Sequence, residues 1–182
     1  MGNPAGVIGS TPFRSELILN SVYAFGTVAF RDYLFADLSF RTDWNSALAS
    51  PTNKGKSFSY PSVNVSYVLS DMVNLPAQFS MVKFRGSIAE VGSGSMVPYR
   101  TSYTYNVDPT FPGGRSNPTS LPNLQLEPLK TVSYEIGTDL NLFRNRFTLN
   151  ATYYTATTTN QHLVAVIDRA SGANNVLINA GG

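Results

Sequence analysis

The side chains that could do chemistry in this chain are few, and their spacing argues against catalysis. Glu135 and Asp139 lie four residues apart in VSYEIGTDLNL, a segment that alternates like a strand. At about 3.3 Å of rise per residue their carboxylates would stand about 13 Å apart, beyond the roughly 5–9.5 Å that paired-carboxylate hydrolysis requires. His162 precedes Asp168 by a short interval, as in part of a catalytic set, but no G-x-S-x-G nucleophile turn accompanies them. With no cysteine and one histidine, neither a thiolate nor an imidazole metal site is expected. The expectation is a protein that is not an enzyme and carries no cofactor.

Composition narrows the alternatives. Charged residues make up 13% of the 182, about half the roughly 25% of a soluble domain, while aromatics reach 12%. Such a surface suits contact with something other than water. The net charge of +2 comes with no Lys/Arg-rich run, so nucleic acid is not an expected partner. No window approaches eighteen consecutive apolar residues, which excludes a spanning helix but not a membrane barrel, whose strands announce themselves by alternation. The opening MGNPAGVIGSTPFRSE lacks the basic start and apolar centre of an export signal, so any such signal is expected outside this chain.

The element that must position Glu135 and Asp139 is a hairpin within Leu124 to Gln161. Val132, Tyr134, Ile136, Thr138, Leu140 and Leu142 share one face, and Ser133, Glu135, Gly137, Asp139 and Asn141 the other. A turn at Phe143 to Arg146 sets Leu142 opposite Phe147, Leu140 opposite Leu149 and Ile136 opposite Tyr153. On the polar side it sets Asp139 opposite Asn150 and Glu135 opposite Tyr154. A slip of one residue would mix the faces.

The same plan recurs upstream. Ser21 to Phe30 alternates, Arg31 to Tyr33 makes a tight turn, and Leu34 to Asp43 returns with Leu34, Ala36, Leu38 and Phe40 against Asp37, Ser39, Arg41 and Asp43. The short apolar group Leu17 to Leu19 reads as the end of a strand. After a polar connection from Trp44 to Tyr60, Pro61 is placed at the start of a strand through Leu69, where its missing N–H does least harm. Ser70 to Met81 forms a connection with a short helical turn. Val82 to Val91 then sets Val82, Phe84, Gly86 and Ile88 against Lys83, Arg85, Ser87 and Ala89. Gly92 to Lys130 is irregular and rich in proline, with Tyr99, Tyr103, Tyr105 and Phe111 in it. A short strand pair is expected around Leu163 to Ile167 and Val176 to Ile178.

Short and long connections alternate along the chain, which in an antiparallel sheet places the short ones at one end and the long ones at the other. Outer-membrane barrels are built that way. The fold class expected is all-β, an antiparallel meander of roughly six to eight strands forming part of a transmembrane β-barrel that is itself incomplete.

Several blocks resemble a known family. FGTVAFRDYLFADLSFRTDWNSAL looks like a strand, turn and strand ending in an R-x-D-W-S-S-like element, here Arg41, Asp43, Trp44, Asn45 and Ser46. SYPSVNVSYVLSD is similar to an F-Y-P-S-V-S strand, VKFRGSIAEVGSG to an L-K-x-R-x-S-x-A-x-V-G strand, and the hairpin opening to L-x-P-E-K-T-x-S-Y-E-I-G. YYTATTTNQ and LINAG follow in order. Over about Ser21 to Gly181 the chain resembles the barrel of SusC/RagA-like, TonB-dependent outer-membrane transporters. It departs at Leu129, where the motif has an acid after Pro128, and at Asn45, where it has Ser.

The resemblance implies a segment of barrel wall in the outer membrane of a Gram-negative bacterium, importing glycan oligomers or peptides. Its implied partners are membrane lipid, a SusD-type surface lipoprotein over the long loops, and TonB acting through segments outside this chain. The whole of residues 1–182 is assigned to partial barrel, with the plug domain and C-terminal strands absent. Asp37, Arg41, Lys83, Arg85, Glu135 and Asp139 are expected to face the lumen, lining a solute path or meeting the plug. Trp44, Tyr60, Tyr67, Tyr134 and Tyr153 are expected to anchor the wall at the membrane interface. The loop tyrosines could contact substrate or a lid protein, or merely pack within their own loop. One alternative is a soluble or surface β-sandwich for adhesion or carbohydrate binding, which would bury Leu38, Ile136 and Leu149 against a second sheet. Another is a siderophore-type receptor of the same barrel class.

Overall fold

The computed structural model describes residues 14–51, 57–93, 97–107 and 113–181. Expectations for Phe111, the first thirteen residues and parts of the two longest connections lie outside these.

Alternation produces six long strands: β1 (Leu19–Phe30), β2 (Leu34–Asn45), β3 (Ser57–Val68), β4 (Phe79–Ser93), and, after three two-residue strands, β8 (Leu129–Leu142) and β9 (Phe147–Thr159). At 12 to 15 residues each exceeds the about 9–11 that a tilted strand needs to cross a bilayer. They form one sheet in the order β1-β2-β3-β4-β8-β9, each pair antiparallel. The two outer edges, on β1 and β9, have no partner strand among the described residues. Of the apolar group at Leu17 to Leu19, Leu17 and Ile18 precede β1 and Leu19 begins it.

The hairpin of β8 and β9 has the register that two-face matching requires, from Leu142 opposite Phe147 to Glu135 opposite Tyr154. Its turn places Phe143, Arg144 and Asn145 in succession at φ of 53°, 58° and 63°, a left-handed run that the tie from Phe143 N–H to Gln78 O (2.7 Å) helps to hold. Pro61 falls inside β3, opposite Phe40, and not at its start. The ladder from β3 to β4 begins only at Ser62, so at Pro61 the strand has a neighbour on one side and an unpaired edge on the other, where a missing N–H is tolerated.

Connections 31–33, 69–78 and 143–146 meet at one end of the sheet, and 46–56 and 94–128 at the other. The contrast is wide at the outer hairpins and slight between 46–56 and 69–78, where α1 (Leu69–Met72) takes up part of the turn. Beyond the long-loop end, β10 (Gln161–Val166) pairs with β11 (Asn175–Ala180), which pairs in parallel with β7 (Ser120–Leu121). β5 (Asn106–Val107) and β6 (Arg115–Ser116) form a separate small pair.

The small apolar cluster lies among these loops: Leu48, Leu126 and Leu177 are buried together, with Phe58 packed against them. The apolar side of the sheet has no such cover. Leu38 is 47%, Ile136 66% and Leu149 44% exposed, so among the described residues no second layer covers them as a sandwich would require.

Candidate functional site

The registers sort every strand residue onto one of two faces. Asp37, Asn64, Ser87, Glu135 and Tyr154 lie in one continuous row across β2 to β9. Leu38, Val63, Ile88, Tyr134 and Thr155 form the next row, on the opposite side. All six residues expected to line a lumen, Asp37, Arg41, Lys83, Arg85, Glu135 and Asp139, share the first face. Of the described strand residues on the other face of this sheet, only Glu90 and Lys130 are charged, and they pair with each other at 2.7 Å.

Arg85 is the centre of the polar face. It lies opposite Gly137 on β8, and Gly137 lies opposite Thr152 on β9. The guanidinium crosses the glycine and donates from Nη2 to Thr152 Oγ1 at 2.5 Å. A Cβ on residue 137 would stand 2.6 Å from Arg85 Nε and 3.0 Å from its Cγ, so glycine is what leaves the crossing open. Glu135 and Asp139 flank it, at 3.6 Å from Nη1 and 3.8 Å from Nε. Neither distance is a hydrogen bond, and Nε is shut from solvent with no hydrogen-bond partner among the described residues. With Lys83, Asn64 and Ser66 these groups surround an open groove of about 450 Å³.

The remaining polar residues bond sideways along the wall. Asp37 accepts from Thr27 Oγ1 (2.8 Å) and Asn64 Nδ2 (3.2 Å), and Ser39 and Ser62 share a bond of 2.7 Å. Arg41 donates from Nε to Asp43 Oδ1 at 2.7 Å and from Nη2 to Ser21 Oγ at 3.1 Å.

The aromatic residues are only partly where the sequence suggested. Trp44, Tyr67, Tyr134 and Tyr153 stand on the apolar face, Trp44 at the long-loop end and Tyr67 at the short-turn end. Tyr60 does not. It lies opposite Arg41 on the polar face, its ring at 5.2 Å from Phe58 and against Gly92, its hydroxyl buried. It shares the parity of Ser62, whereas the other four stand on the opposite face.

Sequence reasoning also missed a row of aromatics at the short-turn end. Phe30 and Tyr33 pack edge to face at 5.9 Å, and Tyr33 meets Tyr67 at 6.1 Å. Phe79 and Phe147 both lie opposite Leu142, one on each side of β8. Phe79 has the parity of the polar face, and a bulge between Phe79 and Met81 turns it to the apolar one. The available signal was position: Phe30, Phe79 and Phe147 each abut a short connection. Along β4 the way from Phe79 to Glu90 is about ten ladder rungs. At about 3.3 Å each and a tilt of about 40° that is a rise of about 25 Å, the height of the apolar band of an outer-membrane barrel.

His162 and Asp168 are occupied structurally. His162 Nε2 lies 2.6 Å from the Glu127 carbonyl oxygen, and Asp168 Oδ1 accepts from Ala170 N–H at 2.9 Å. Asn179 joins them by donating to the carbonyls of Glu127 (3.0 Å) and Asn160 (3.1 Å), which ties the loop before β8 to β11. Tyr99, at φ 67°, lines a loop cavity of about 210 Å³ with Arg100 and Leu177. Among the described residues no cluster of His, Cys, Asp and Glu could hold a metal, and no helix is long and apolar enough to cross a membrane, a test that does not bear on strands.

Known proteins carry this architecture. The RagAB peptide importer in its open-open state superposes with a TM-score of 0.80 at 19% identity, over 91% of this chain and 18% of that one. The RagAB peptide transporter gives 0.78 at 19% identity, over 92% and 18%. The siderophore receptor PirA from Pseudomonas aeruginosa gives 0.58 at 17% identity, over 92% and 29%. The chain thus spans under a third of the length of each of these structures, and likeness at such identities concerns the fold. No curated protein matches it in sequence. The family profile described as TonB dependent receptor-like, beta-barrel matches residues 2–182, and with that match across nearly its whole length the chain belongs to this family of β-barrel receptors.

Proposed function

We propose that this segment is part of the wall of a SusC/RagA-like, TonB-dependent transporter in the outer membrane of a Gram-negative bacterium, importing peptides or glycan oligomers. The observation that carries it is the division of faces: apolar residues uncovered on one side, and a charged, hydrogen-bonded surface with an open groove on the other. The first face meets lipid and the second meets the solute path. Closing the wall requires further strands on β1 and β9, and the plug that receives energy from TonB comes, by resemblance, from other parts of the protein. A SusD-type lipoprotein is the corresponding partner for the long-loop end. The siderophore alternative has the looser structural match in its support.

The test is uptake. Cells carrying the full-length gene are compared with a deletion strain for import of labelled oligopeptides, glycan oligomers and ferric siderophores, each with and without TonB. Import of one oligomer class that depends on both the gene and TonB is the expected result. TonB-independent accumulation, or recovery of the full-length protein away from the outer membrane, would overturn it.

A further inference from the structure

Among the described residues five junctions hold the six long strands together, and one of them stops early. β3 and β4 are paired from Ser62 with Ala89 to Val68 with Lys83, seven rungs, whereas each of the other four junctions runs for eleven or more. Above Ser62 both remain strands, but each is paired only with its other neighbour: Ser57 to Pro61 with β2, and Glu90 to Ser93 with β8. Pro61 starts the parting, since it brings no N–H to the edge that β4 would meet. An open cavity of about 470 Å³ lies in the gap, bordered by residues of β2 and β3, Tyr60 and Ser62 among them, and by the successive residues 89–92 of β4. Successive residues point to alternate faces, so it is the edge of β4 that borders the cavity. The Tyr60 ring lies there, against Gly92.

Loops rejoin the two halves of the wall beyond the gap. Leu48 and Phe58, on the side of β2 and β3, pack with Leu126 and Leu177 on the other, and Thr101 donates its hydroxyl to the Ala49 carbonyl across the same line. At this end, therefore, a few side chains close what continuous ladder closes at every other junction. The gap begins at the level of Glu90, the upper limit of the apolar band, so backbone groups bared by its widening meet water; in lipid they would be left unsatisfied. We propose that the junction of β3 and β4 is a seam at which the long-loop rim of the wall widens, with Leu48, Phe58, Leu126 and Leu177 as its latch and the Tyr60 ring as its filler. The ladder from Ser62 downward stays paired. The use of the seam, which rests on the import reading above, is to pass oligomers too bulky for the closed rim.

The test follows two distances by pulsed electron spin resonance in the full-length transporter in lipid vesicles. One pair of spin labels, at Ser59→Cys and Val91→Cys, both exposed positions, spans the seam; the other, at Tyr134→Cys and Thr155→Cys, spans a rung of β8 and β9. The seam pair is expected to show a second, longer distance that the ladder pair lacks. Leu126→Ala should raise the share of that longer distance about tenfold by removing part of the latch, and Pro61→Val, which restores an N–H, should lower it. A single narrow distance at both pairs, in wild type and in Leu126→Ala alike, would overturn the seam. So would equal broadening of the two pairs, which marks general loosening. Its use is read by joining the two seam cysteines with a short, reducible thiol cross-linker: import of the largest accepted oligomer should fall severalfold and recover on reduction, while that of the smallest stays unchanged. Unchanged import of every size under the cross-link would overturn the widening, whereas no import in any arm would sink the import reading and leave the two distances to decide the seam.

Discussion

Substituting Gly137 by alanine tests the geometry of the polar face in a single atom. Residue 137 sits under the Arg85 guanidinium, and the added Cβ would stand 2.6 Å from Nε and 3.0 Å from Cγ. The side chain must lift, and the bond from Nη2 to Thr152 is lost. A hydrogen bond to a charged group contributes about 1.5–3 kcal/mol. The ion pairs to Glu135 and Asp139, long and with Arg85 36% exposed, add about 0–1 kcal/mol. Against this, alanine in an extended conformation gains about 0.4–1 kcal/mol by restricting the unfolded chain. The net expectation is a destabilisation of about 0.5–3.5 kcal/mol, read as a shift of the denaturant midpoint of the full-length transporter in lipid vesicles. The deciding arm is the same change in an Arg85→Ala background, where nothing remains to collide with and Gly137→Ala should be neutral or slightly stabilising. Equal destabilisation in both backgrounds would refute the crossing of Arg85 over the glycine.

Three other changes probe the rest of the wall. Ile136→Arg puts a charge on the apolar face and should cost about 2–4 kcal/mol in vesicles, whereas Ser87→Arg on the polar face should stay within about 0.5 kcal/mol; equal effects would mean the faces are not differently solvated. Gly92→Ala would bring a Cβ to 2.2 Å from the Tyr60 ring and should cost about 1–3 kcal/mol by overpacking, a loss that Tyr60→Ala relieves when unfolding of the double variant is measured. Asn145→Gly should stabilise the hairpin by up to about 1 kcal/mol, because residue 145 is held at φ 63°; a loss of stability in the same assay would show that the Asn side chain holds the turn.

Much of the wall was legible because strand parity is a rigid rule. Once the turn at Phe143 to Arg146 is placed, every pairing from Leu142 with Phe147 to Glu135 with Tyr154 follows, and so does the placement of the six charged residues on one face. Errors arose where something other than parity decided. Tyr60 groups with the interface aromatics by residue type alone; its parity with Ser62 separates it from them, and its ring lies against Gly92. Phe79 was missed because the bulge before Met81 inverts parity, and no pattern in FSMVKF marks it. The crossing of Arg85 to Thr152 was invisible for another reason: it joins side chains on three strands, and only the lack of a side chain at Gly137 permits it. The packing of Leu48, Leu126 and Leu177 escaped likewise, since a turn, a loop and a short strand far apart in sequence share no period.

The orientation of the two faces can be measured residue by residue, because the chain contributes no cysteine of its own. Single cysteines at Leu38, Phe84, Ile136 and Leu149, and at Ser39, Ser87, Asp139 and Asn150, are labelled with a fluorophore in the full-length transporter reconstituted in vesicles containing brominated lipid. Lipid quenching confined to the first four, with access to a water-soluble reagent confined to the second four, is the result expected of a barrel wall. Quenching that fails to separate the two sets would contradict it.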